Sequence, residues 1–100
     1  MNDDKTKYHF TTIKDLMQQV LQKNKLEKGM QQIQITKAWK HVMGEGVWTY
    51  TTAIKLNNGN LTVSLRSSTI REEHSYRKEE IIRMLNAYLQ QDLVKKIRLS

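Results

Sequence analysis

Between two runs of alternating apolar and polar residues, the chain places Asn57-Asn58-Gly59-Asn60. Both central residues of a type I′ turn need positive φ, and Asn-Gly adopts that conformation readily, so the flanking runs are expected to close into a tight antiparallel hairpin. The first strand is expected over residues 47–56. Trp48, Tyr50, Thr52, Ile54 and Leu56 would share one face, and Val47, Thr49, Thr51, Ala53 and Lys55 the other. The second strand turns Leu61, Val63 and Leu65 inward and Thr62, Ser64 and Arg66 outward.

Helical periods frame this hairpin. Ile13, Leu16, Met17, Val20 and Leu21 recur at i, i+3, i+4, i+7 and i+8, which predicts a helix running to about Lys23. Thr12 is placed to cap it, and Asp15 suits the positive end of its dipole. Lys23-Asn24-Lys25-Leu26-Glu27-Lys28-Gly29 reads as a basic, polar loop. A second helix is expected from Gln31 or Gln32 to Met43, with Ile35, Ala38, Trp39, Val42 and Met43 on one side and Lys37 and Lys40 on the other. Gly44 would end it in a left-handed conformation.

Beyond the hairpin, Ser67, Ser68 and Thr69 are candidate caps, with Glu72 or Glu73 in reach of a capping box. One long helix is expected over residues 70–91. Ile70, His74, Ile81, Leu85 and Tyr88 would form its apolar face, and Tyr76 would point outward. Glu73 with Arg77 and Glu79 with Arg83 have the favourable i, i+4 order. After Asp92, residues 93–99 alternate again as a last strand with Ile97 and Leu99 inward.

The expected architecture is α+β, a two-layer sandwich in the order α-α-β-β-α-β with a three-stranded sheet. The third strand reaches the sheet by a crossover, right-handed if the strands are parallel. Whether it lies beside strand one or strand two stays open. Residues 1–11 read as a mobile lead-in, and residues 12–100 as a single domain, a common size for 100 residues.

Composition removes several function classes. Without cysteine there is no disulfide, thiolate nucleophile or cysteine metal site. No apolar run approaches the roughly 20 residues that span a bilayer, and the polar N-terminus lacks a signal peptide's apolar stretch, so a cytoplasmic location is expected. His9, His41 and His74 are not at metal-ligand spacing, and His74 on an apolar face reads as structural. Glu72-Glu73 and Glu79-Glu80 are neighbours that face different ways on a helix and serve ion pairs better than acid–base chemistry. Gly44-Glu45-Gly46 lacks the Gly-Lys-Ser/Thr of a phosphate loop. No catalytic residue, metal, cofactor or small-molecule substrate is expected. Trp39, Trp48, Tyr50 and Tyr88 have the chemistry of base-stacking platforms, but the register of the two tryptophans assigns them to the core.

Charge points elsewhere. Seventeen Lys and Arg against ten Asp and Glu give +7 and a pI near 9.8, in the range of nucleic-acid-binding domains. The cations gather at Lys23, Lys25 and Lys28, at Lys37 and Lys40, at Arg66 and Arg71, at Arg77, Lys78 and Arg83, and at Lys95, Lys96 and Arg98. Such clusters either neutralise phosphates or form solvated faces. The candidate phosphate contacts are Lys23, Lys25, Lys28, Lys37, Lys40, Arg66 and Arg71.

An ordered set of residues resembles the DciA-like bacterial domain. It comprises Trp39, Val42-Met43-Gly44, Thr49 to Thr51, Leu56, Asn58-Gly59, Leu61-Thr62-Val63, Ser67-Ser68, Glu73, Leu85-Asn86, Leu89 and Ile97-Arg98, and the resemblance covers about residues 12–99. It implies a KH-like fold and a non-enzymatic role at the replication fork, recruiting or helping to load the replicative DNA helicase and binding DNA. The partners it implies are that helicase and single-stranded or forked DNA. The chain departs from the family pattern at Ile70, where a Trp is usual, and at His74, where a Leu is common. Many members carry a long polar tail, whereas this chain stops at Ser100, so a bare domain with part of the family's activity is expected. A protein–protein adaptor without nucleic-acid affinity and a KH-like RNA-binding module are the alternative readings; the chain lacks the basic Gly-x-x-Gly loop of an RNA-gripping KH domain.

Overall fold

Residues 13–100 are described in the computed structural model of the chain, and their longest element is one helix where the sequence suggests two. The lead-in expected over residues 1–11 and the capping Thr12 lie outside the described residues. Helix α1 (Ile13–Met43) runs through the segment expected to be a loop. Lys, Leu and Glu are good helix formers, and no proline interrupts them. At Gly29 a Cβ would meet nothing within 4 Å, so this glycine costs the helix only its intrinsic penalty of about 1 kcal/mol. The chain forms two compact units with their boundary between Met30 and Gln31. In the first, Ile13, Leu16, Met17, Val20 and Leu21 are all exposed.

In the second unit, Gly44 follows the last residue of α1 with the positive φ its position predicts, 83°, but its ψ of 173° is extended and not that of a left-handed helical cap. A short helix α2 (Glu45–Trp48) follows and occupies the start of the expected first strand. Local hydrogen bonds explain the difference. Trp48 N donates to Gly44 O at 2.9 Å, and Thr49 N donates to Glu45 O at 3.0 Å. The hydroxyls of Thr49 and Thr51 donate to Glu45 O and Val47 O at 2.8 and 2.9 Å. Threonine hydroxyls that bond the backbone four residues back favour a turn over an extended chain.

Strand β1 (Thr51–Asn57) therefore begins four residues later than expected, and its register shifts between Thr51 and Ala53. The irregularity leaves Tyr50 and Thr52 exposed, whereas Ile54 and Leu56 keep their inward places. Strand β2 (Asn60–Leu65) pairs antiparallel with β1 across a two-residue turn, Asn57 facing Asn60. Asn58 and Gly59 take φ of 51 and 83, as a type I′ turn requires.

Two helices, α3 (Ser68–Ser75) and α4 (Lys78–Leu89), replace the single expected one. Ser67 is the cap, its Oγ accepting from Ile70 N at 3.2 Å. The break comes where Ser75 Oγ donates to Glu72 O at 2.7 Å and Arg77 N donates to His74 O at 3.1 Å, closing a tighter turn. It also moves Arg77 from its expected partner Glu73 to Glu80, 2.9 Å away. Tyr88, expected on the apolar face, is 46% exposed, while Ile81 and Leu85 are fully buried. Gln90, left-handed at φ 58, ends α4.

Strand β3 (Lys96–Leu99) is shorter than expected because Asn86 captures the preceding segment. Its amide donates to Val94 O and accepts from Val94 N, both at 2.9 Å. β3 lies parallel to β2, so the sheet order is β1-β2-β3 and the question left by the sequence is resolved. The fold is α+β with a mixed three-stranded sheet. Ile35, Ala38 and Trp39 of α1, Leu61, Val63 and Leu65 of β2, Ile81 and Leu85 of α4, and Ile97 of β3 share one core with Val47 and Val94. Gln32 ties α1 to the edge strand, its amide donating to Ile54 O at 2.7 Å and accepting from Leu56 N at 3.2 Å.

Candidate nucleic-acid interface

Turning apolar side chains inward leaves each element an outward face, and these faces hold the cations. Lys23, Lys25 and Lys28 belong to the first unit, exposed on α1 and carried by a helix, not by a loop. Lys37, Lys40, Arg66 and Arg71 belong to the second. Of the seven, Lys37 and Lys40 are brought together at one site. With His41, Gly44, Glu45 and Tyr88 they line an open cleft of about 440 Å³.

Arg66 and Arg71 do different work. The Arg71 guanidinium donates to Leu65 O at 2.8 Å and is half-buried. That of Arg66 donates to Thr49 O at 3.2 Å and lies 5.3 Å from the Tyr50 ring centre. Both arginines fasten the ends of β1 and β2 to what flanks them. Lys40 is partly engaged too, its ammonium 5.4 Å from the Trp48 ring centre.

Within the cleft His41 and Tyr88 stack, ring centres 4.7 Å apart and planes tilted by 30°. Tyr88 is on the same helix as the buried Ile81 and Leu85, near its C-terminal end. His41 sits in the last turn of α1 beside Lys40, whose positive charge offsets the negative end of the helix dipole. An aromatic step beside two lysines is the arrangement that holds single-stranded nucleic acid, bases on rings and phosphates on ammonium groups. The sequence reading missed His41; its place one residue after Lys40 was the available signal.

His74, read as structural, is half-buried with Nδ1 donating to Ile70 O at 2.8 Å. Trp39 is fully buried and its indole donates to Thr51 Oγ1 at 3.0 Å, while Trp48 is partly buried against the core. A second depression runs from Ser75 to Arg83 around the exposed Tyr76. There the Arg77 side chain, by hydrogen bond and charge, holds the Glu80 carboxyl below its ordinary pKa, so this cation is already matched.

Among the described residues no group of His, Asp and Glu is arranged to hold a metal ion, and no helix is long and apolar enough to cross a membrane. Fold and surface together define a small α+β domain with an apolar interior and cationic outward faces. The chain belongs to the DciA family: the family described as Dna[CI] antecedent, DciA, matches residues 12–99. Membership associates it with loading of the replicative helicase, in a family not known as one of enzymes. No curated protein matches the chain.

Proposed function

We propose that this is a non-enzymatic, KH-like replication domain that binds single-stranded or forked DNA and helps bring the replicative helicase to it. Family membership supports the helicase half of this reading. The DNA half is carried by the cleft in which the stacked rings of His41 and Tyr88 stand with Lys37 and Lys40. Phosphates would lie along the two lysines while a base stacks on the free face of the aromatic step. Lys23, Lys25 and Lys28 would add sequence-independent phosphate contacts from the first unit.

Fluorescence anisotropy with single-stranded, double-stranded and forked DNA, and an RNA of equal length, at two salt concentrations tests this. Salt-sensitive binding that prefers single-stranded or forked DNA is expected. Tyr88→Leu should weaken single-strand binding about tenfold, the worth of one stacked base. A strand with abasic spacers should bind the variant and the parent alike. Replacing Lys25 and Lys28 together with Glu should lower the salt slope by about 2. Absence of binding at low salt would refute the DNA half.

One observation favours the alternative reading, a protein–protein adaptor without nucleic-acid affinity. The stripe Ile13, Leu16, Met17, Val20 and Leu21 is exposed on a helix, the form in which an amphipathic segment docks into a partner's groove. We assign it to the protein partner, since phosphate binding has no use for an apolar stripe.

A further inference from the structure

Strand pairing brings together cations that are far apart in the chain. Lys55 on β1 faces Thr62 on β2, and Thr62 in turn faces Arg98 on β3. Two rungs along, Asn57 faces Asn60, and Asn60 faces Lys96. Residues directly paired across a sheet share a face, and residues two apart on one strand share it too. Because Ile54, Leu56, Leu61, Val63, Ile97 and Leu99 face the core, this set faces away from it. Lys55, Lys96 and Arg98 are all exposed.

The face is uniform in sign. The acids of residues 31–100 are Glu45, Glu72, Glu73, Glu79, Glu80 and Asp92, and each lies on a helix or in the segment after α4. The strands hold none. Among the described residues no ion pair engages Lys55, Lys96 or Arg98, in contrast to Arg77 with Glu80.

We infer that the outward face of the sheet is a second nucleic-acid surface, separate from the cleft, that takes the sugar–phosphate backbone without reading bases. Chemistry decides between nucleic acid and an acidic protein. A protein interface draws its affinity from a desolvated apolar or aromatic centre, and this face has only hydroxyl, amide and cationic groups around a small Ala53. Backbone recognition needs just what is present, cations to displace counterions and neutral donors for phosphate and sugar oxygens. The absence of an aromatic ring among the outward strand residues removes stacking, so affinity should not depend on the bases. The inference extends the DNA reading above to residues that the cleft does not contain.

The test is anisotropy of the full chain with a labelled oligothymidylate and with an abasic strand of equal length, over a salt series. Two double variants are compared, K55Q with R98Q and K37Q with K40Q, after thermal melts show both folded. K55Q with R98Q should lower the slope of log affinity against log salt by about 1.5, to the same extent on both strands. K37Q with K40Q should weaken binding of both strands, and Tyr88→Leu should weaken oligothymidylate more than the abasic strand. An unchanged slope for K55Q with R98Q, while K37Q with K40Q loses binding, overturns the sheet surface and leaves the cleft standing. The converse pattern supports the sheet surface and removes the cleft. Displacement of oligothymidylate from the sheet by polyglutamate at equal charge concentration would overturn the preference for nucleic acid. A parent chain that binds neither strand at low salt overturns both.

Discussion

Along α1, Ile13, Leu16, Met17, Val20 and Leu21 repeat the spacing of Ile35, Ala38, Trp39, Val42 and Met43 step for step. Yet the first set is 51–76% exposed, and Ile35, Ala38 and Trp39 have no exposed surface at all. The period is a property of the helix, since 3.6 residues per turn put such positions on one face whatever surrounds them. Burial is a property of what the rest of the chain supplies to that face. For the later set it supplies β2, α4 and β3. An uncovered stripe of this kind is what a partner would use.

The comparison breaks most visibly at Trp39. Trp39→Ala removes the largest fully buried side chain and its indole bond to Thr51, and should cost about 3–5 kcal/mol by denaturant melts. A loss below about 1 kcal/mol would mean that the core is not organised around it. Gln32→Ala comes next. It leaves Ile54 O and Leu56 N without their side-chain partner, and about 2 kcal/mol should be lost. Gly29→Ala tests the continuity of α1 itself and has the opposite sign. In a helix interior with open space around the new Cβ, helicity by circular dichroism should rise and stability improve by about 0.5–1 kcal/mol. A loss instead would show that Gly29 serves a bend. Smallest is Met17→Ala, which should shift stability by no more than about 0.5 kcal/mol, because that side chain is 60% exposed. If Met17→Ala cost as much as a core truncation, the first unit's stripe would be buried in solution.

What the sequence shows and what it hides follow the range of the interactions. The hairpin is legible because Asn58-Gly59 and the alternation around it are local and mutually consistent. The inward sets Ile35, Ala38, Trp39 and Leu61, Val63, Leu65 are legible for the same reason. The loop expected at residues 23–29 fails because lysines and a glycine resemble a linker in composition, while nothing there sterically ends a helix. The division of α3 from α4 depends on a side-chain bond from Ser75 to Glu72 that no periodicity reveals. Among the seven candidate cations, the arginines at 66 and 71 read as free charges, but both guanidiniums bond to backbone carbonyls. The sheet-face cations read as decoration until the parallel pairing of β2 and β3 sets Arg98 two strands from Lys55. The residues that carry the family resemblance are largely those that build the frame. Trp39, Gly44, Asn58-Gly59, Ser67 and Asn86 fill the core, turn the chain, cap or clamp it.

Gly59 does more than turn the hairpin. Its carbonyl accepts from both Lys95 N and Lys96 N, at 2.8 and 3.1 Å, and a Cβ there would come within 2.8 Å of the Lys95 side chain. The contact fastens β3 at its first residue. A slip of one position would exchange Lys96 and Arg98 for Ile97 and Leu99, putting charge into the core and grease on the sheet's outer surface. One main-chain oxygen thus acts as the alignment pin that keeps interior and exterior from trading places.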